Sequence, residues 1–148
     1  MERIGLRMAT KRDKSWLVAL DYALDKKEHI ELRRKEKIAK AILGDECFIV
    51  LADGKEVGFI IFDYRFFDRG WIELIIIEEK QRGKGIGRQA IELICQQSKT
   101  DTVFTSTNRS NIQMQKALTS AGFTFAGTVE GLDDGDPELF YCKMRNCQ

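Results

Sequence analysis

The residues with most chemical promise form one run, Trp71-Ile72-Glu73-Leu74-Ile75-Ile76-Ile77-Glu78-Glu79-Lys80-Gln81-Arg82-Gly83-Lys84-Gly85-Ile86-Gly87-Arg88. An apolar, strand-like stretch enters a turn with glycines at alternate positions, and the turn opens an amphipathic segment. Such glycines leave backbone N–H groups uncovered by side chains. A helix N-terminus adds roughly half a positive charge. Together they make a cradle for phosphate oxygens. Arg82, Lys84 and Arg88 set cations around it, and one carboxylate, Glu73, interrupts the apolar run.

Three phosphate-binding patterns compete for this turn. A P-loop needs lysine followed by Ser or Thr at the end of the glycine run, and none is present. A dinucleotide fingerprint G-x-G-x-x-G started at Gly83 meets Arg88 at its last position, so it fails as well. The pattern R/Q-x-x-G-x-G/A is met by Arg82-Gly83-Lys84-Gly85-Ile86-Gly87. This segment resembles the pyrophosphate loop of the GCN5-related N-acetyltransferases (GNAT), particularly the members acting on small amines and polyamines. A later stretch, Asn111-Ile112-Gln113-Met114 onward to Gly122-Phe123, is similar to the family's second motif, in which an asparagine opens a helix ending in Gly-Phe.

The resemblance implies an acetyl-CoA-dependent N-acetyltransferase. Main-chain groups of Ile75, Ile76 and Ile77 are then expected to pair with the pantetheine and acetyl groups. The turn of Arg82, Gly83, Lys84, Gly85, Ile86, Gly87 and Arg88 is expected to hold the pyrophosphate. Asn111 matches the asparagine that contacts the cofactor arm, and helix capping is an equally good account of it. An amine attacks only when neutral, and a primary amine of pKa ~10.4 is almost wholly protonated at neutral pH. Glu73 matches the position of a glutamate base in polyamine-type members, with a solvent-facing strand carboxylate as the alternative. Many members protonate the departing thiolate with a tyrosine seven residues after the asparagine, but Leu118 stands there. Tyr141 or water is the expected substitute. Leu118 also favours a rival reading, a non-catalytic acetyl-CoA sensor of the same fold.

The acceptor that the resemblance implies is an amine of a small molecule or peptide. Glu130, Asp133, Asp134, Asp136 and Glu138 crowd one loop and would favour a cationic acceptor, although a solvated turn explains them better. Phe59, Phe62, Tyr64, Phe66 and Phe67 could line its pocket, with Phe59 the safest core residue. Arg33, Arg34 and Lys35 alternate with acids at spacings that suit surface ion pairs.

The elements that must position these groups follow from periodicity. Residues 3–8 suit a first strand. Thr10-x-x-Asp13 is a capping box before Trp16, Leu17, Leu20, Ala23 and Leu24 at helical spacing. A charged helix over residues 28–43 ends at Gly44. Residues 47–51, 57–64 and 71–77 form an antiparallel meander, turned at Asp53-Gly54 and at Asp68-Arg69-Gly70. Ala90, Ile91, Ile94 and Cys95 make one stripe of a helix over residues 85–98. A strand over 102–105, a helix capped by Ser110-x-x-Gln113 and closed by Gly122, and strands over 123–129 and 139–144 complete the chain. The expected class is α/β, an α+β layered domain with a mixed, mostly antiparallel sheet and helices on both faces, in the order β-α-α-β-β-β-α-β-α-β-β.

Composition sets the frame. The 148 residues suit a single domain over 1–148. With 24 basic and 23 acidic side chains the net charge is +1, which offers little pull on nucleic acid or anionic membrane. No apolar run approaches the ~20 residues of a membrane span. The N-terminus reads as free of a signal region, so a cytoplasmic address is expected. Cys47, Cys95, Cys142 and Cys147 show no C-x-x-C spacing, and His29 is the only histidine, so no metal site is expected. The first three cysteines read as small buried hydrophobes and Cys147 as exposed tail. Similar proteins are often homodimers, a state the sequence leaves open.

Overall fold

The computed structural model describes residues 2–24 and 28–144, with side chains at 23–32 excluded. The elements are β1 (Ile4–Met8), α1 (Lys14–Leu24), α2 (Glu28–Leu43), β2 (Cys47–Ala52), β3 (Lys55–Phe66), β4 (Arg69–Ile77), α3 (Ile86–Gln96), β5 (Thr102–Asn108), α4 (Ile112–Ser120), β6 (Thr124–Val129) and β7 (Glu138–Met144). Short 3-10 turns at Lys11–Asp13 and Glu79–Gln81 precede α1 and α3. This is the order expected from the sequence. The strands run β1-β2-β3-β4-β5-β7-β6 in one mixed, mostly antiparallel sheet. Among the described residues no helix is long and apolar enough to cross a membrane.

The chain divides into two compact units. One holds residues 1–62 and 74–86, the other residues 63–73 and 87–148. In the first, β1, β2 and β3 pair antiparallel. Leu17 of α1 and Ile38 of α2 are fully buried with Ile49 and Phe59, and Ile76 joins their core. Each such side chain contributes about 1.5–3 kcal/mol through burial. Asp53 and Gly54 both take positive φ, 50° and 81°, as a two-residue hairpin turn requires. In the second unit, β5 and β7 are antiparallel over their full length, β6 pairs outside β7, and β4 meets β5 in parallel over Gly70–Ile72. The expected stripe of α3 is buried at Ala90, Ile91, Ile94 and Cys95.

Three local expectations are corrected. The β3–β4 turn falls one residue earlier, on Phe67 and Asp68, with φ 52° and 62°, and Arg69 and Gly70 already belong to β4. Asn111 caps α4, its side chain accepting from the Met114 N–H at 3.2 Å, whereas Ser110 bonds Asp136. α2 ends at Leu43, directly before Gly44 as expected, and the left-handed residue that follows is Asp45. Arg34 pairs with buried Asp21 of α1 at 2.5 Å, a partner on another helix that i,i+4 spacing does not reveal. Ala23, Leu24, the His29 side chain and Cys147 lie outside the described residues or side chains.

Candidate active site

The second half of β4 leads into the glycine turn. Gly58 of β3 is what lets the backbones approach here. A Cβ at 58 would sit 2.3 Å from the Ile76 carbonyl oxygen. Beside it, the Glu78 N–H donates to the Val57 carbonyl at 2.8 Å. A glycine inside a strand signals such an approach. In the sequence, Gly58 inside the run 57–64 is the local signal for this contact, and it lies outside both motifs. Past the 3-10 turn, Arg82 is extended, and Gly83 and Gly85 both have φ 79°. That left-handed conformation costs an L-residue roughly 1–2 kcal/mol. Nothing lies within 4 Å of where a Gly83 Cβ would stand, so its surroundings are open. α3 starts at Ile86, and its first turn carries N–H groups that have no acceptor within the helix.

The cations of this turn have partners. Arg82 donates through Nε to the Ile77 carbonyl at 3.1 Å. Lys84 donates to Gln81 at 3.1 Å and lies 3.7 Å from Glu2. Arg88 pairs with Glu92 at 2.7 Å, one helical turn on. These contacts hold the side chains near the turn. The side chains of Ile76, Ile77 and Ile86 are buried, which leaves only their main-chain groups to meet a ligand; Ile75 is half-buried. Left-handed Gly83 and Gly85, the first with open surroundings, a helix N-terminus and three guanidinium or ammonium groups make a donor set suited to a diphosphate.

Glu73 is half-buried and accepts a hydrogen bond from the indole Nε1 of Trp71, two residues earlier on β4. Trp71 stacks on Phe140, which fixes both on one face of the sheet. Tyr141, the next residue of β7, therefore lies on the opposite face. It is 7% exposed and meets Phe125 edge-on. Lys143 shares that side and donates to the Ala121 carbonyl at the end of α4 at 2.6 Å. The two residues expected to move protons thus stand on opposite faces.

Leu118 is fully buried and places no hydroxyl there. The acidic loop is tied down. Asp136 accepts from the Ser110 hydroxyl at 2.6 Å and its N–H at 3.0 Å, and these bonds hold its carboxyl below the usual range. Asp133 accepts from Asn108 at 2.8 Å. Of the five rings that could line an acceptor pocket, Phe59 and Phe62 are core, and the Tyr64 hydroxyl accepts from the Lys99 N–H at 3.0 Å. Burial pushes the Cys47 thiol up to about 12 and that of Cys95 to about 11, which removes both as nucleophiles. Among the described residues no cluster of His, Cys, Asp or Glu could hold a metal ion.

A model of the Acetyltransferase (GNAT) family matches residues 14–123. Among solved structures, a GNAT-family acetyltransferase from Bacillus cereus ATCC 10987 is 30% identical, with a TM-score of 0.87 over 98% of this chain and 99% of that one. A GNAT-family acetyltransferase from Bacillus anthracis is 17% identical, with a TM-score of 0.78 over 99% and 100%. AAC(6')-Ib in complex with ribostamycin and coenzyme A is 20% identical, with a TM-score of 0.72 over 96% and 93%. No curated protein matches the chain.

Proposed function

We propose that this chain, which belongs to the GNAT acetyltransferase family and is an acetyl-CoA-dependent N-acetyltransferase, moves the acetyl group to a primary amine by direct attack within a ternary complex. The amine is that of a small molecule, such as a polyamine, or of a peptide. The observation that carries the placement of the donor is the turn itself, with Gly83 and Gly85 left-handed at the start of α3. Acetyl-CoA supplies an acetyl thioester, and AAC(6')-Ib was solved with coenzyme A. In this reading residues 82–88 grip the diphosphate through N–H groups and cations. The main chain of 75–77 runs beside the pantetheine arm, with Arg82 bracing the Ile77 carbonyl. Asn111, held as the cap of α4, stands by the cofactor arm.

Glu73 takes the proton from the arriving ammonium, directly or through water, and frees its lone pair for the thioester carbon. The nitrogen–carbon bond forms as the carbon–sulfur bond breaks. A thiol of pKa ~8.5 makes its thiolate a tolerable leaving group near neutrality, so a weak donor suffices. We assign that donor role to Tyr141 or to water. Glu73 releases its proton to solvent, the nitrogen sheds a second proton as the amide forms, and that second proton reaches the departing sulfur through water, with Tyr141, on the face opposite Glu73, as the alternative donor.

We further assign residues 1–148 to one N-acetyltransferase domain, a reading supported by the near-complete mutual coverage with the Bacillus cereus protein. The cysteines described are all free, which supports a cytoplasmic site of action. A homodimer fits the reading and is checked by sedimentation. Calorimetry with acetyl-CoA, followed by thiol release across primary amines, polyamines, aminoglycosides and lysine peptides, tests the reaction. Saturable binding with release on at least one amine is expected. Binding with no release on any would point instead to a sensor.

A further inference from the structure

The face of the sheet that carries Glu73 is aromatic. Phe66 stacks on Trp71 with ring centroids 4.7 Å apart and on Phe140 at 5.7 Å, and meets Phe104 at 5.0 Å. Trp71 and Phe140 stack at 5.9 Å. All four rings are half-buried, so each keeps part of its surface in water. Phe67 extends the patch, edge-on to Phe66 at 5.0 Å and 78% exposed. It holds φ 52° in a turn where glycine is the least strained choice, so a large ring stands on the surface at a backbone cost. Carboxylates border the rings. Glu73 is held by the Trp71 N–H, and Glu138 is held by the Ser106 hydroxyl at 2.7 Å on the strands that carry Phe104 and Phe140.

We propose that this patch binds the body of the acceptor, and that the preferred acceptor is a primary amine carried on a flat aromatic group by a short alkyl arm. The charge pattern selects this class. An aromatic body gains contact with the faces and edges of Phe66, Trp71 and Phe140, while its ammonium lies against the carboxylate at the border. A linear polyamine would meet the rings through cation–π attraction alone and would lack the stacking and edge contacts that a flat body makes with them. The amine so held is the one from which Glu73 takes its proton, so the proposal rests on the acetyl-transfer reading and names its substrate class.

The test uses the full chain carrying Trp16→Phe. Trp16 packs against the core of the other unit and is the only other tryptophan, so Trp71 becomes the sole indole reporter. Acetyl-CoA-dependent thiol release is measured with 2-phenylethylamine, tyramine, butylamine and putrescine. Quenching or shift of Trp71 emission is titrated with the same amines in the presence of coenzyme A. The aromatic amines should show about tenfold higher kcat/KM and tighter binding than the aliphatic ones. Phe66→Leu and Phe140→Leu, which keep apolar volume and remove a ring, should each erase most of that advantage, mainly through KM. Turnover of aliphatic and aromatic amines at equal kcat/KM overturns the proposal and leaves acetyl transfer intact. Tight binding of aromatic amines to the Trp71 face without turnover supports the patch and sinks the catalytic reading. No response of Trp71 emission to any amine overturns the proposal.

Discussion

Gly58 on β3 and Ile76 on β4 approach so closely that no side chain fits between them: a Cβ at 58 would stand 2.3 Å from the Ile76 carbonyl oxygen and 3.0 Å from the Ile77 Cα. The obstacle is backbone, which cannot swing aside as a side chain can. Gly58→Ala is therefore expected to push the end of β4 outward. The strain should cost about 1–3 kcal/mol, a fall in Tm of about 3–10 °C. The displaced strand feeds the glycine turn, so acetyl-CoA affinity should fall as well. Thermal melts with calorimetry check both effects, and an unchanged Tm would show that the two strands tolerate separation.

The glycine turn makes a sharper prediction. Gly85 has φ 79° immediately before the first residue of α3. Gly85→Ala adds backbone strain of about 1–2 kcal/mol. Gly85→Glu adds the same strain and a carboxylate facing the proposed diphosphate. Acetyl-CoA affinity should drop about 100-fold in the glutamate variant, roughly 2.7 kcal/mol, and clearly less in the alanine variant. Equal losses in both would mean that the backbone alone matters and that no anion sits there.

Much of this was legible in the sequence because helical periodicity and turn chemistry are strong local signals. Ala90, Ile91, Ile94 and Cys95 announced α3, and Asp53-Gly54 announced a hairpin in which both residues indeed take positive φ. Motif spacing located the turn at 82–88 for the same reason: glycines and cations are local signals. What sequence did not carry was partnership across elements. Asp68-Arg69-Gly70 has turn chemistry, yet the left-handed residues are Phe67 and Asp68. Arg34 reads as a surface cation until α1 brings Asp21 to it. The opposite faces of Glu73 and Tyr141 depend on strand parity and register, which no motif encodes.

Glu73 is where that parity matters for chemistry. Its carboxylate is oriented by the Trp71 indole and lies on the aromatic face. Glu73→Gln keeps shape and the acceptor oxygen for Trp71 but removes proton affinity. Turnover should fall by about 10²–10⁴, while acetyl-CoA affinity stays within about twofold. Steady-state rates across pH, paired with calorimetry, provide the check. An unaltered pH–rate profile would remove Glu73 as the base and leave that task to water.

A last prediction concerns acid stability. Asp13 accepts from Arg7 through both oxygens, at 2.9 and 3.0 Å, and from the Thr10 N–H at 2.8 Å, joining β1 to the turn before α1. The Arg7 guanidinium, helped by that N–H, lowers its pKa to about 2. An unfolded aspartate titrates at ~3.9. The folded state thus binds the proton more weakly, so Asp13 stabilises the fold above the unfolded value. That stability is lost as pH falls from ~4 through about 2. The pair lies at the surface, which trims its worth to about 1–2 kcal/mol at neutral pH. Asp13→Asn should be less stable by that amount at pH 7 in urea melts, and the gap should close by pH 2. A gap that persists at pH 2 would mean the loss comes from the Thr10 cap geometry, not from the charge on Asp13.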